Sequence, residues 1–279
     1  MKCYLNGKIL PQAEANVGLT DLALIRGFGI FDYFVFEDFK PRFLPDYLDR
    51  FYNSAQLLGL HPRVAKEELR TAVHDLIRAN DVPTGGIRLV LTGGYADDCY
   101  TPTEGNQFIL QGPFPNSYPE RFVRGARVAT YQHQREMAAV KSINYVTGIH
   151  ILPWLREQAA EYVVYHDGTY LRESDRSNFF IVTADGELAT AAAHVLGGIT
   201  RKKILQLARE RGLRVAEREV ALAELWTARE AFLTSSTKGA MPVTLVDGKA
   251  IGDGVPGPVV QQLQAAFLAL VQAEQHATR

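Results

Sequence analysis

The 279-residue sequence has few cysteines and no long hydrophobic run. Cys3 and Cys99 are too few and too far apart for a disulfide scaffold or a cysteine-based zinc site, so we expect no metal. The first residues lack the apolar core of a signal peptide, and no segment approaches the roughly 20 apolar residues of a membrane helix. We therefore expect a soluble, cytoplasmic protein that does not bind membranes.

Net charge is almost absent too. The formal charge is −1, with 30 lysine and arginine residues against 31 acidic ones. No field of the whole protein would attract nucleic acid or anionic lipid, so we expect neither as a partner. Lysine is scarce as well, because only nine of those 30 cations are lysine. A lysine in an apolar segment therefore stands out.

The clearest break in the chain is a proline-rich stretch after Gly112. Pro113, Pro115 and Pro119 cannot continue a helix or a central strand. We therefore predict a small N-terminal domain over 1–112, a linker over 113–122 and a larger C-terminal domain over 123–279. Strands and helices are mixed without a regular βαβ alternation, which favours an α+β fold over a doubly wound sheet.

Local patterns predict several elements around this break. Asn-Gly and Asp-Gly pairs suit two-residue hairpin turns, which are expected at Asn6-Gly7, Asp167-Gly168, Asp185-Gly186 and Asp247-Gly248. Apolar residues at helical spacing predict helices that begin at Leu44 and Thr200 and cover 147–161 and 258–272. Pro153 conflicts with the helix over 147–161, so a kink or a late start is expected there.

One lysine lies in an apolar segment. Lys141 follows Met137-Ala138-Ala139-Val140. Burial favours the neutral amine that a Schiff-base nucleophile requires. The same pattern fits a lysine whose stem packs while its ammonium group reaches water, and this segment alone favours that second interpretation.

Two polar segments suit anions. Gly197-Gly198-Ile199-Thr200 places a glycine turn before a helix, where the first backbone N–H groups can bind phosphate. Thr234-Ser235-Ser236-Thr237 places four hydroxyls at the end of a strand. An ordinary capped helix and a polar loop would have the same patterns.

Six segments together resemble, in order and spacing, the class IV pyridoxal-phosphate enzymes. They are Arg26 to Asp32, Tyr47 to Ala55, Lys141 to Tyr145, Glu173 to Phe180, Leu196 to Arg201 and Ser235 to Val243. That family includes branched-chain aminotransferases, D-amino-acid transaminases and aminodeoxychorismate lyases. The resemblance implies the two-domain fold type IV, with a small N-terminal α/β domain and a larger C-terminal pseudo-barrel domain. It also implies a homodimer and pyridoxal 5'-phosphate as cofactor.

The resemblance assigns cofactor roles residue by residue. Lys141 would form a Schiff base with pyridoxal phosphate and carry the proton that leaves the substrate. Glu173 would pair with the pyridine nitrogen, and Tyr145 would hydrogen-bond the 3' oxygen. The phosphate would be held by Arg50, by the backbone N–H groups of Ile199 and Thr200, and by the Ser236 hydroxyl.

The substrate-binding residues depart from the family pattern. Phe31 would line the substrate pocket, and backbone N–H groups near Ser236 and Thr237 would help to hold the substrate carboxylate. Arg88 matches the arginine of the branched-chain enzymes' Tyr-x-Arg strand, but Gly86 replaces the tyrosine.

The other standard carboxylate site is absent as well. The loop Tyr95 to Tyr100 has no Arg-x-His pair of the well-known D-amino-acid transaminases. The sequence resembles a D-amino-acid transaminase subgroup without that pair, and Arg88 and Arg26 are our candidates for its replacement.

The expected reaction moves an amino group from a D-amino acid, such as D-alanine or D-glutamate, to 2-oxoglutarate or pyruvate. An L-branched-chain aminotransferase and an aminodeoxychorismate lyase are the alternatives. Arg88 supports the branched-chain alternative, and the missing tyrosine opposes it. A non-catalytic cofactor-binding protein is disfavoured because Lys141, Glu173 and Arg50 are all present.

Overall fold

The computed structural model describes residues 1–115 and 118–277, and the chain divides into two units. Unit 1 comprises Met1–Asn116 with Val140–Asn144, and unit 2 comprises Ser117–Ala139 with Tyr145–Arg279. Asn116 and Ser117 of the predicted linker, and residues 278–279 of the predicted C-terminal domain, lie outside the described residues. The segment Val140–Asn144 clusters with the N-terminal residues, whereas the predicted boundary assigned it to 123–279.

Unit 1 combines one sheet with three helices. Its strands are β1 (Lys2–Leu5), β2 (Lys8–Pro11), β3 (Gly29–Glu37), β4 (Lys40–Pro41), β5 (Gly85–Thr92) and β6 (Gln107–Gly112). The helices are α1 (Leu22–Arg26), α2 (Leu44–Leu57) and α3 (Lys66–Asn80), and a short 3-10 turn covers Gln12–Glu14. The strands pair antiparallel in the order β2-β1-β6-β5-β3-β4.

The core of unit 1 follows from two amphipathic helices on this sheet. The buried residues of α2 include Tyr47, Leu48 and Phe51 at helical spacing. They pack on β3, where the rings of Phe34 and Tyr47 have centroids 5.2 Å apart. The packing of α2 therefore fixes the position of β3 and of the side chains that β3 carries.

Unit 2 contains an eight-stranded sheet. Its strands are β7 (Ala126–Gln132), β8 (Tyr162–His166), β9 (Asn178–Val182), β10 (Leu188–Ala191), β11 (Val215–Arg218), β12 (Glu230–Ser235), β13 (Gly239–Val246) and β14 (Lys249–Ala250). The helices are α4 (Glu120–Arg124), α5 (Val146–His150), α6 (Leu152–Glu157), α7 (Ile199–Glu210) and α8 (Pro258–Ala277), with a 3-10 segment at Leu222–Thr227.

The sheet of unit 2 mixes parallel and antiparallel pairs. Its order is β11-β10-β9-β12-β13-β7-β8, with β14 added at β13. The pairs β10–β11, β13–β7 and β7–β8 are parallel, and the remaining pairs are antiparallel. This topology is not a doubly wound sheet, so the predicted α+β, two-domain fold class is confirmed.

Most predicted elements are present. The Asn6-Gly7 hairpin joins β1 and β2, and the Asp185-Gly186 and Asp247-Gly248 hairpins also form. The third Asp-Gly prediction is wrong in part, because Asp167-Gly168 is followed only by an isolated bridge between His166 and Leu171.

Two helix predictions need correction. The helix predicted over 258–272 continues to Ala277 in α8. The helix predicted over 147–161 is two short helices that meet at Ile151, and Pro153 lies in the first turn of α6 as its conflict with the pattern indicated. It ends at Glu157, four residues early. Within the predicted linker over 113–122, α4 begins at Glu120.

Within the part of the chain that the structure describes, no helix is both long enough and apolar enough to cross a membrane.

Candidate active site

Lys141 lies on a short segment that extends the sheet of unit 1. The Phe31 N–H donates to the Lys141 carbonyl at 2.9 Å, and the Ile143 N–H donates to the Gly29 carbonyl at 3.1 Å. The Lys141 N–H donates to Ser54 Oγ on α2 at 3.2 Å. The Lys141 ammonium nitrogen lies 4.6 Å from the centroid of the Phe31 ring. The backbone of this lysine is thus fixed on both sides, and an aromatic ring supports its side chain.

Arg50 is held by a carboxylate that the sequence analysis gave no role. Asp32, fully buried on β3, accepts hydrogen bonds from Arg50 Nε at 2.9 Å and Nη2 at 2.6 Å. The same carboxylate accepts the Tyr33 N–H at 2.7 Å. Asp32 therefore makes a two-point ion pair that fixes the plane of the guanidinium group.

Arg88 lies on β5 between two aromatic rings. Its guanidinium carbon is 5.2 Å from the ring centroid of Phe31 and 5.8 Å from that of Tyr33. No described residue forms an ion pair with Arg88. Its guanidinium group lies beside the rings of Phe31 and Tyr33 and can bind an anion there.

Gly86 stands where the branched-chain pattern has a tyrosine, and the side chain of Tyr33 on the neighbouring strand occupies the space beside it. Tyr33 pairs with Arg88 across the strands, and Gly86 lies two residues along on the same face of β5. A Cβ atom at Gly86 would lie 2.1 Å from the Tyr33 hydroxyl. The Tyr33 ring thus needs the space that only glycine leaves, and a tyrosine hydroxyl still lies beside Arg88, supplied by the neighbouring strand.

Arg26 is placed differently from Arg88. It is exposed at the end of α1, and its Nε donates to the Cys99 carbonyl at 3.0 Å. No described contact joins it to Arg88.

Glu173 in unit 2 is buried in a network of donors. Arg135 Nη1 donates to Oε1 at 2.7 Å, while Oε2 accepts the Leu196 N–H at 3.0 Å and Asn178 Nδ2 at 3.4 Å. Asn178 also donates to the Leu196 carbonyl at 2.8 Å. These donors stabilise a charged carboxylate in a buried place and fix its direction.

Tyr145 lies directly before α5 in the same unit. Burial raises the pKa of its hydroxyl above the usual value, with Arg135 opposing and Asp175 and Glu173 adding to the shift. The hydroxyl therefore stays protonated at neutral pH and can donate a hydrogen bond to an oxygen anion.

The start of α7 provides backbone donors. Ile199 and Thr200 are buried in its first turn, and no side chain caps the helix at Gly198. A Cβ atom at Gly198 would lie 2.0 Å from Asn178 Oδ1, so this glycine couples the helix start to the Glu173 network. An uncapped helix start of this kind suits a phosphate group.

Ser236 and Thr237 lie in the turn between β12 and β13. Thr237 Oγ1 lies 3.4 Å from Ser235 Oγ, and Thr234 Oγ1 is buried without a hydrogen-bond partner. The turn therefore presents hydroxyl groups at the end of a strand, as the sequence indicated.

The candidate residues are divided between the two units. Unit 1 carries Phe31, Arg50, Arg88 and Lys141, and unit 2 carries Tyr145, Glu173, Ile199, Thr200, Ser236 and Thr237.

Sequence reasoning missed Asp32, Ser54, Arg135 and Asn178 as positioning residues. Asp32 is a charged residue within a motif, which is a usable signal, but the partners of Ser54, Arg135 and Asn178 are visible only in the fold. No metal-binding group of acidic, histidine or cysteine side chains occurs among the described residues.

Comparison with known proteins gives a consistent family. The family model for amino-transferase class IV matches residues 29–246. A putative branched-chain-amino-acid aminotransferase of Methanocaldococcus jannaschii is 31% identical, over 96% of this chain and 95% of its own length. A D-alanine aminotransferase of Listeria monocytogenes is 31% identical, over 98% of this chain and 97% of its own.

Solved structures agree with this result. The branched-chain amino acid aminotransferase of Escherichia coli superposes with a TM-score of 0.88 at 26% identity, covering 97% of this chain and 94% of that one. A branched-chain amino acid aminotransferase solved with pyridoxamine 5'-phosphate also has a TM-score of 0.88, at 25% identity over 97% of this chain and 93% of that one. The resemblance that the motifs indicated is thus confirmed, and the chain belongs to the class IV aminotransferases.

Proposed function

We propose that this aminotransferase uses pyridoxal 5'-phosphate to move an amino group from a D-amino acid, such as D-alanine or D-glutamate, to 2-oxoglutarate or pyruvate. The observation that carries the binding of an amino acid, of either enantiomer, is Arg88, an arginine without an ion pair among the described residues, held over Phe31 and Tyr33. Such a guanidinium group suits a substrate carboxylate. Relatives that are D-alanine aminotransferases, at 29–31% identity, support the choice of enantiomer.

The residues present fit the cofactor by their chemistry. Glu173 is a buried acceptor, the start of α7 offers uncapped N–H donors, and Arg50 is a fixed cation. When bound, pyridoxal phosphate withdraws electrons from the substrate Cα and carries the amino group between the two half-reactions.

Each residue then has one task. Lys141 Nζ would accept the proton that leaves the substrate Cα and deliver it to the cofactor carbon that takes up the amino group, and the reverse half-reaction would move it the other way. Glu173 accepts a hydrogen bond from the protonated ring nitrogen, and the Tyr145 hydroxyl donates one to the ring oxygen. Arg50, the Ile199 and Thr200 N–H groups and the Ser236 hydroxyl bind the phosphate.

The substrate carboxylate is assigned to Arg88 and to the backbone near Thr237. Arg26 is a weaker candidate, because it is exposed and donates to the Cys99 carbonyl. We further propose that the enzyme works as a homodimer in the cytoplasm.

The second candidate is an L-branched-chain aminotransferase. The Methanocaldococcus jannaschii relative and the superposed Escherichia coli structure carry that name, and Arg88 matches the arginine of the branched-chain pattern. The tyrosine of that pattern is absent at Gly86, which disfavours this candidate.

Half-reactions decide between these candidates. The purified protein is loaded with pyridoxal phosphate, mixed with D-alanine or L-leucine, and followed by its visible spectrum. We expect D-alanine to react faster by at least about tenfold, a difference of about 1.4 kcal/mol in the barrier. A faster reaction with L-leucine would overturn the proposal, and pyruvate released from aminodeoxychorismate would indicate a lyase.

Two variants test the cofactor assignment in the same assay. Lys141→Ala should lose the visible absorption of the loaded protein, because the amine that binds the cofactor is gone. Lys249→Ala removes an exposed lysine near Trp226 and should keep that absorption.

A further inference from the structure

A second lysine of unit 2 lies next to residues of the candidate site. Lys238 follows Thr237 in the turn between β12 and β13. Its Nζ donates to Ser177 Oγ at 3.2 Å and to Ser235 Oγ at 3.5 Å, and lies 4.8 Å from the centroid of the Tyr162 ring. Among the described residues, none forms an ion pair with Lys238. A partly buried ammonium group is thus surrounded by neutral partners.

The other cations around Lys238 already have carboxylate partners. Arg176 pairs with Asp175 at 2.9 Å. Arg121, whose guanidinium group donates to the Tyr162 hydroxyl, pairs with Glu161 at 3.0 Å. Of these three cations, Lys238 is therefore the one without an ion pair in the described chain.

The environment makes this charge costly. Burial, reinforced by the positive charges of Arg176 and Arg121 and opposed by Asp175, lowers the pKa of Lys238 to about 8. A carboxylate bound at Nζ would stabilise the charged form and so offset the cost of burying it. An anion is thus the ligand that this cluster favours.

The neighbours of Lys238 indicate which anion. Ser236 and Thr237, directly before it, are assigned above to the cofactor phosphate and the substrate carboxylate. Ser177 directly precedes Asn178, which holds Glu173. If Ser236 and Thr237 hold those two groups, the anion left for Lys238 is a second carboxylate of the substrate.

We propose that Lys238, together with the hydroxyls of Ser177 and Ser235, binds the side-chain carboxylate of a dicarboxylic substrate of the glutamate and 2-oxoglutarate class. This inference rests on the proposed function and adds the residue that selects dicarboxylic substrates. The ammonium group supplies the charge, and the two hydroxyls orient it toward the ligand.

The substitution Lys238→Met keeps the apolar stem and removes the charge. Half-reactions with D-glutamate and D-alanine then give a ratio of kcat/KM values. We expect the ratio of D-glutamate over D-alanine to decrease by a factor of about 10 to 100, as for the loss of one hydrogen bond to a charged group. Lys238→Arg, which keeps the charge, should retain more of the preference. An unchanged ratio in Lys238→Met would overturn the proposal.

The matched control is Lys249→Met. Lys249 Nζ also lies 4.8 Å from an aromatic ring, that of Trp226, but is exposed. It should leave the ratio unchanged. If L-amino acids react and D-amino acids do not, the enantiomer proposal fails, and L-glutamate over L-alanine then gives the same test of Lys238.

Binding of glutarate to the cofactor-loaded protein gives a second readout. Calorimetry near pH 8 in two buffers of different ionisation enthalpy measures proton uptake on binding. The wild-type protein should take up protons, because the bound carboxylate raises the pKa of Lys238, and Lys238→Met should take up fewer. Equal uptake in both proteins would contradict the assignment.

Discussion

At the scale of single residues, the pair of Asp32 and Arg50 orients the cation assigned to phosphate. Both side chains are almost fully buried, and two hydrogen bonds join them. Removing one partner of a buried ion pair is much more destabilising than its net contribution, because the other charge stays buried.

The substitution Asp32→Asn should therefore lower the free energy of unfolding by about 3 kcal/mol. It should also weaken pyridoxal phosphate binding, since two hydrogen bonds to a carboxylate would no longer orient the Arg50 guanidinium group. Urea unfolding with and without the cofactor measures both effects.

Asp49→Asn is the control, at the position next to Arg50 on α2. It breaks an exposed ion pair with Lys66 and should leave stability nearly unchanged. Equal losses in the two variants would show that Asp32 has no special role.

Tyr33 and Gly86 show what sequence reasoning could not reach. The missing tyrosine was visible from the sequence, because it is a departure at one position. Its replacement was not visible, since it depends on the pairing of β3 with β5, which places Tyr33 beside Arg88. Strand register joins distant residues, and short patterns do not encode it.

At the scale of elements, the start of α7 connects two parts of the candidate site. Gly198 lies against Asn178, and Asn178 bonds both Glu173 and the Leu196 carbonyl. A change at the helix start is thus transmitted to the carboxylate assigned to the ring nitrogen.

Two adjacent glycines give a matched test of this connection. In Gly198→Ala the new Cβ would lie 2.0 Å from Asn178 Oδ1, whereas in Gly197→Ala it would meet nothing within 4 Å. We expect Gly198→Ala to weaken pyridoxal phosphate binding by about tenfold or more, as for overpacking that costs about 1–3 kcal/mol. Gly197→Ala should bind normally, and fluorescence titration with the cofactor compares the two. Similar affinities in both variants would contradict this coupling.

Periodicity predicted two of the helices that carry the site, α2 and α7. It failed where side chains compete with the backbone pattern. The Asp167 carboxylate accepts the N–H groups of Thr169 and Tyr170, so the chain turns there without a second strand. Ala159 has a positive φ of 51° just after α6, and Glu161 is held by Arg121. The ion pair of Glu161 with Arg121 joins residues far apart in the sequence, so no local pattern predicts it.

At the scale of the whole molecule, large apolar side chains remain exposed. In unit 1, Leu19 is 80% exposed, Leu24 63% and Tyr100 78%. The Gly18 N–H donates to the Tyr95 hydroxyl and Arg26 donates to the Cys99 carbonyl, so these loops contact each other. Exposed apolar side chains gathered in this way are typical of a protein–protein interface.

We therefore expect the protein to elute with twice the mass of one chain when light scattering follows size-exclusion chromatography. Leu24→Asp should shift it toward the monomer, because a charge would enter the interface. Leu268→Asp, at an exposed apolar position of α8, should not. A single-chain mass for the wild-type protein would show that these side chains do not form a stable dimer interface.

The scarcity of cysteine has a practical consequence. Cys3 is buried, and burial raises the pKa of its thiol, whereas Cys99 is exposed in the loop whose carbonyl group holds Arg26. A maleimide dye should therefore label the folded Leu24→Asp monomer at one position, Cys99. Slower labelling of the wild-type protein would then report that the loop holding Arg26 enters the dimer interface.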